Sequence, residues 1–294
     1  MNLLGLTKIH VEISSICRKS CSICGRRKRD KELRNKGLNP NLQYGHMELD
    51  IIKKIVDGIP SDSGLTIATH SNGESMESPY YGEAVKLFKD KGCFVYTVTN
   101  GQRLIDKYND IVDNLDALSI SIFEGDIEQE KQFEIITKFL EMKGNKLPYT
   151  TLRLIGNVDS KTYEKFDNLI IKRLLHKPEG SFGYKTGIEG RIKMPTIPEH
   201  GVCLDFLNTL AIDRLGNIYC CVRFNPNKEL LLGNIINNTL TEIWNCEKRM
   251  WMKEKHIHGK RNEIYFCSSK CRRNFDLKRN SKKVNWVRKE KKTK

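Results

Sequence analysis

The chain is poor in proline, with 8 in 294 residues, and in tryptophan, with 3, and its 21 glycines follow no repeat. That composition excludes collagen-like and proline-rich disordered classes. No apolar run approaches the ~20 residues that a bilayer-spanning helix needs. Residues 1–15 hold only brief apolar stretches, broken by Lys8, His10 and Glu12, so no secretory signal is read there. Hydrolytic acid/base or nucleophile motifs are also missing. What is left is a cytoplasmic chain long enough for one large α/β domain and a smaller second one.

Ten cysteines are present. In a reducing compartment they point to metal ligation and not to a disulfide framework. Cys17, Cys21 and Cys24 form a C-x3-C-x2-C array directly after the strand-like run 9–13. Thiolates select zinc, copper(I) or iron-sulfur clusters. A structural zinc site or an ordinary 4Fe-4S cluster takes four protein ligands, so three leave one coordination position open. The alternative is half of a zinc ribbon completed elsewhere.

The formal charge of +15 is concentrated in the segment from Arg26 to Lys36 and in the tail 278–294. Such runs are solvated faces or capture an anionic partner, an acidic peptide or RNA. Trp286 in the tail suits either stacking on a base or packing on the domain.

Short β-rich runs alternate with amphipathic stretches through the first two thirds, the rhythm of parallel strands joined by crossover helices. Strands are expected near 9–13, 65–69, 94–99, 117–122, 151–155 and 182–184, with helices over 49–58, 80–91 and 129–142. Leu49, Ile52 and Ile55 make one apolar stripe, and Gly58 and Pro60 end that helix. Six units predict a partial (β/α)6 barrel, followed by a small α+β region after the glycine- and proline-bearing passage 185–201. In barrels the chemistry gathers at the carboxyl ends of the strands, where the three cysteines fall.

These cysteines resemble those of the radical S-adenosylmethionine (SAM) enzymes, in which the open iron is chelated by SAM. The resemblance implies a 4Fe-4S cluster that reduces SAM to methionine and a 5'-deoxyadenosyl radical, which then takes a hydrogen atom from substrate. Asn72-Gly73-Glu74-Ser75 looks like the family's Gly-Gly-Glu-Pro segment, with Asn72 and Ser75 departing from it. Gly73 would then permit close backbone approach, and Glu74 would accept from the SAM amino group. Asn100 lies in a Thr-Asn-Gly strand end similar to the family's. Ser119 and Ser121 resemble its polar strand contact to SAM, and Arg153 would pair with the SAM carboxylate or form a surface salt bridge.

The last third resembles the SPASM/twitch extension. Cys203, Cys221, Cys267 and Cys271 would hold one auxiliary 4Fe-4S cluster, with Leu232-Gly233-Asn234-Ile235 and Ile243-Trp244-Asn245 matching its usual stretches. Residues 207–219 read as a hairpin turning at 213–217. A zinc knuckle on the same four cysteines is the structural alternative. Cys93 reads as a buried small hydrophobe, while Cys220 is a candidate hydrogen donor or replacement ligand.

The expected organisation is a barrel over 1–195, an auxiliary domain over 196–277 and a basic tail over 278–294. The expected substrate is a ribosomally made peptide undergoing crosslinking, oxidation or epimerisation. A small polyol or aminosugar oxidised by a dehydrogenase is the second expectation, and a zinc- or cluster-bearing nucleic-acid-binding or RNA-modifying protein the third. Radical SAM chemistry also implies an electron donor such as flavodoxin or ferredoxin.

Overall fold

A computed structural model describes residues 3–19, 21, 24–173, 204–222 and 230–258. The barrel elements run β1 (Lys8–Val11), α1 (Gly25–Asn35), α2 (Leu49–Asp57), β2 (Thr66–Ala68), α3 (Tyr81–Asp90), β3 (Phe94–Thr99), α4 (Tyr108–Ile111), β4 (Ala117–Phe123), α5 (Gln129–Lys143), β5 (Tyr149–Ile155) and β6 (Ile170–Arg173). The second region adds α6 (Leu204–Asn208), β7 (Thr209–Ile212), β8 (Asn217–Tyr219), β9 (Leu231–Asn234), α7 (Leu240–Trp244) and α8 (Glu247–His258).

All nine strands belong to one open sheet, ordered β6-β5-β4-β3-β2-β1-β7-β8-β9. Strands β1 to β6 pair in parallel, and β7 joins parallel to β1 on its free side. The hairpin expected at 207–219 is present as antiparallel β7 and β8, to which β9 adds. Its turn closes through Gly216, at φ +79, where an added Cβ would lie 2.8 Å from Ile235. Only glycine fits that left-handed position without strain.

The two sheet faces differ in kind because side chains alternate along each strand. Ile9, Val11, Ile67, Val95, Leu118, Ile120, Ile122, Leu152 and Leu154 form the apolar face. It shares one core with Ile52 and Ile55 of α2, Ala84, Val85 and Phe88 of α3, and Ile136 and Phe139 of α5. The opposite face carries His10, His70, Tyr96, Ser119, Ser121 and Arg153, as the strand registers require. Gly58 caps α2 as the sequence suggests.

The expected sixth strand at 182–184 lies outside the described residues. The sixth described strand is Ile170–Arg173, whose four residues end in two cations and suit a short sheet edge. Main-chain pairing of β7 with β1 carries the sheet across the expected boundary at residue 195. Leu210, Ile212, Ile218, Leu240 and Trp244 enter the same core as the barrel strands.

Trp244 fastens this second region to the start of the chain. Its indole is 3% exposed, donates from Nε1 to the Leu4 carbonyl at 3.0 Å, and lies 3.2 Å beneath the Arg249 guanidinium. Trp244→Ala leaves a cavity and is expected to lower stability by about 3–5 kcal/mol. Urea unfolding measures it, and a loss below about 1 kcal/mol would contradict a shared core.

Candidate metal and cofactor centre

Beyond β1 the chain enters a loop that is held from several sides. The Ser15 amide donates to the Gly45 carbonyl at 2.9 Å, and the Glu74 amide donates to the Ile16 carbonyl at 2.8 Å. Arg26 stacks on Tyr44, 3.7 Å from the ring centroid, and donates to the Ser15 carbonyl. Arg18 pairs with Glu77 at 3.2 Å. Lys19 and Asp126 form an ion pair with side chains only 3% and 10% exposed. Removing one partner from such a buried pair costs about 3–5 kcal/mol, so the loop is anchored to the turn that precedes α5 as well as to the segment that follows β2.

On this loop stand Cys17, Cys21 and Cys24, all free and half-buried. Cys24 is the residue before α1, and its amide donates to the Cys21 carbonyl at 3.0 Å. Burial first, then the neighbouring Cys24 and Cys17, push the Cys21 thiol up to about 11. Burial likewise raises the Cys17 thiol. Three soft donors on one loop, ligating as thiolates, call for a group that brings positive charge. The donor set fits a three-thiolate iron-sulfur cluster.

Strand ends β2 and β3 meet the loop through Gly73, Glu74 and Asn100. A Cβ on Gly73 would lie 2.3 Å from the Ser14 carbonyl oxygen and 2.5 Å from the Ser15 carbonyl carbon. The close approach expected at this glycine is therefore made by the chain's own cysteine-bearing loop. Glu74 is 2% exposed, and its carboxylate accepts from the Asn100 amide at 2.7 Å, the Thr99 hydroxyl at 3.0 Å and the Met76 amide at 3.3 Å. Its bonding is directed inward, to the β3 end and to its own turn. Asn100 then reaches back with Nδ2, 3.7 Å from the Cys17 sulfur.

Both departures from the family segment have local roles. Asn72 donates to the Glu12 carboxylate from Nδ2 at 2.8 Å and from its amide at 3.3 Å. Glu12 is buried, and that burial raises its carboxyl despite Asn72. Ser75 donates to the Thr69 carbonyl.

The strand serines are placed as the alternation suggests. Ser119 shares a hydrogen bond with Thr151 at 2.7 Å and accepts from Tyr96 at 3.3 Å. Ser121 stands opposite Arg153 in the β4–β5 register, on the same face. Sequence reasoning left several residues here without a role. His70 accepts the Val98 amide at Nδ1, 3.1 Å away, and meets His10 and Tyr96 edge-on at 5.5 and 5.1 Å. Burial holds the His70 imidazole well below its ordinary value, so it is neutral. Gln132 of α5 donates to the Asn100 and Ser121 carbonyls at 2.6 and 3.0 Å, linking the β3 and β4 ends. A charge inside an apolar run, as at Glu12, was the available signal for its buried contact; Lys19, between Arg18 and Ser20, carried none.

Of the four cysteines expected to hold an auxiliary cluster, Cys221 is half-buried after β8, while Cys203, Cys267 and Cys271 lie outside the described residues. Cys220 is 0% exposed in a second apolar cluster with Phe206, Tyr219, Leu230 and Met252, its sulfur 3.9 Å from that of Met252. Burial pushes its thiol up to about 12. Cys93 is buried in the main core, as expected. Among the described residues no helix is long and apolar enough to cross a membrane.

Comparison with known proteins adds two findings. Residues 203–272 match the family model of SPASM, an iron-sulfur cluster-binding domain. The fold is similar to BtrN solved with AdoMet and 2-DOIA, at 16% identity and TM-score 0.54 over 90% of this chain and 95% of that one. It is also similar to anSMEcpe with bound AdoMet and Cp18Cys peptide, at 13% identity and TM-score 0.54 over 86% and 82%. Streptococcus suis SuiB bound to S-adenosylmethionine aligns at 10% identity and TM-score 0.50 over 82% and 66%. By sequence, no curated protein matches. Family match and fold agree with the resemblance to radical SAM enzymes carrying a SPASM/twitch-type extension.

The buried carboxylate gives a pH signature. Burial raises Glu74 from 4.5 to about 7, against the pull of its Asn100, Thr99 and Met76 donors. A carboxyl that binds its proton more tightly when folded contributes stability fully present below 4.5 and lost as pH rises through about 7. Urea titrations from about pH 5 to about pH 7.5 are expected to show this loss in the native chain and not in Glu74→Gln. Equal slopes would contradict the assignment.

Proposed function

We propose that the chain is a radical SAM enzyme acting on a peptide, with one cluster at Cys17, Cys21 and Cys24 and an auxiliary cluster at Cys203, Cys221, Cys267 and Cys271. The observation carrying this reading is the three-thiol loop fastened to the β2 and β3 ends through Gly73, Glu74 and the Asn100 contact to Cys17. When bound, cluster and SAM supply a one-electron cleavage that yields a hydrogen-abstracting radical. The protein's part is to hold the thiols, orient SAM and keep water from the reacting carbon.

Arg153 and Ser121, neighbours across β4 and β5, are assigned to the SAM carboxylate and hydroxyls, the Arg fork suiting a carboxylate. Glu74 is assigned to fixing the loop and strand ends, with the SAM amino group meeting this same strand end. Full burial of Cys220 supports a packing role over hydrogen donation. The peptide reading is supported by the likeness to anSMEcpe solved with a peptide. A polyol or aminosugar is the second reading, favoured by the 95% coverage of BtrN, solved with 2-DOIA, and by the hydroxyl- and imidazole-bearing inner sheet face.

Anaerobically reconstituted protein given SAM and dithionite is expected to release 5'-deoxyadenosine, and a Cys17→Ala/Cys21→Ala/Cys24→Ala variant is expected not to. Equal release from both would overturn the proposal. Product mass then separates the substrates: modification of a peptide supports the first reading, and loss of two hydrogens from a polyol or aminosugar the second. Arg153→Ala is expected to weaken SAM binding about ten- to hundredfold, read by equilibrium dialysis on the reconstituted protein. Unchanged affinity would remove Arg153 from the site.

A further inference from the structure

We propose that the outward side of α1, together with Arg18, is the docking surface for an acidic one-electron carrier protein that reduces the cluster at Cys17, Cys21 and Cys24. The inference rests on the radical SAM reading and adds where and by what the electron enters.

Charge and position carry it together. Residues 26–36 hold seven lysines and arginines against two acids, a local excess of five in a chain whose total is +15; Lys19 and Arg18, just before, are paired with Asp126 and Glu77. The helix starts at a ligand, because Cys24 is its N-cap. With 11 residues it extends about 16 Å from that point. Its inward side is already occupied: Leu33 is buried, Arg26 lies on Tyr44, and Tyr44 donates to Asp30 at 2.6 Å. One of the two acids is thereby engaged. Lys31, Arg34 and Lys36 are exposed, and among the described residues none of them is held in an ion pair. The Arg18 side chain is 70% exposed beside the same loop.

A structural helix has no need of this concentration of one charge, which repels itself along the exposed side. A positive field near a redox centre steers a negatively charged protein toward it; Lys31, Arg34 and Lys36 follow Cys24 by roughly 10–18 Å along the helix. Transient redox complexes are small and held by charge complementarity, giving fast association and easy release. In the transfer, one electron leaves the carrier's reduced flavin and enters the cluster, and no bond in the chain is made or broken.

The test uses reconstituted holoenzyme and flavodoxin as the acidic carrier, with dithionite as a small reductant that needs no docking surface. Cluster bleaching is followed by stopped flow, and flavodoxin binding by calorimetry. Lys31→Glu/Arg34→Glu/Lys36→Glu is expected to weaken flavodoxin binding and slow its reduction of the cluster at least about tenfold. Dithionite bleaching and dithionite-driven 5'-deoxyadenosine release should stay within about twofold of the native protein. Raising salt from about 50 to about 300 mM should slow only the flavodoxin reaction.

Equal flavodoxin affinity in both proteins, or a salt-independent rate, would overturn the proposal. So would an equal loss in the dithionite reaction, or a variant that loses peptide or RNA binding while flavodoxin still reduces it normally. Failure of the native protein to release 5'-deoxyadenosine with dithionite would strike the radical SAM reading instead, and the calorimetric comparison would still judge the surface.

Discussion

The carboxylate of Glu74 is the point on which the site's geometry depends. It accepts main-chain and side-chain donors from the end of β3 while its own amide donates to the loop that bears the cysteines. Burying a carboxylate is costly unless its oxygens find donors, and here the Asn100 and Met76 amides and the Thr99 hydroxyl supply them. Gly73, next in the chain, lets the two backbones approach more closely than any side chain would allow. Three segments distant in sequence are thus set in one arrangement, and the Asn100 amide is delivered to the Cys17 sulfur.

Around that junction the sheet separates two environments. Its helix-covered face is a single apolar core. Its other face carries imidazole, phenol, hydroxyl and guanidinium groups, with His70 kept neutral by burial and oriented by the Val98 amide. Polar groups there are paired across strands, as with Ser119 and Thr151. Continuation of the sheet into β7, β8 and β9 means that the second region is positioned by main-chain hydrogen bonds as well as by side-chain packing. An auxiliary cluster carried there would have a fixed attachment to the barrel on the β1 side.

Much of this was legible from residues alone. The alternation in 117–123 and the apolar stripe of α2 gave the right elements, because burial on one face imposes a strict period. The cysteine spacing marked the site because few chemistries need three thiols in eight residues. By contrast β6, Ile-Ile-Lys-Arg, has too short a pattern to separate from a loop. The pairings of Asn72 with Glu12 and of Lys19 with Asp126 depend on contacts between residues 60 and 107 positions apart, which no local period encodes. Glu74 was identified as important for its chemistry; its contacts within the protein, to the Asn100 and Met76 amides and the Thr99 hydroxyl, are set by tertiary packing. Nor does sequence distinguish Cys220 as a donor from Cys220 as core, since that depends on Met252 and Phe206 folding over it.

The central claim is that three thiols at Cys17, Cys21 and Cys24 hold a cluster with one iron left for SAM. Electron paramagnetic resonance of the reduced, reconstituted protein tests it most directly, with the auxiliary site silenced by Cys267→Ala/Cys271→Ala so that one cluster contributes. The account predicts a 4Fe-4S signal, from about four irons per chain, whose g-values shift when SAM is added. A protein that retains zinc in place of iron, or a signal unchanged by saturating SAM, would contradict it.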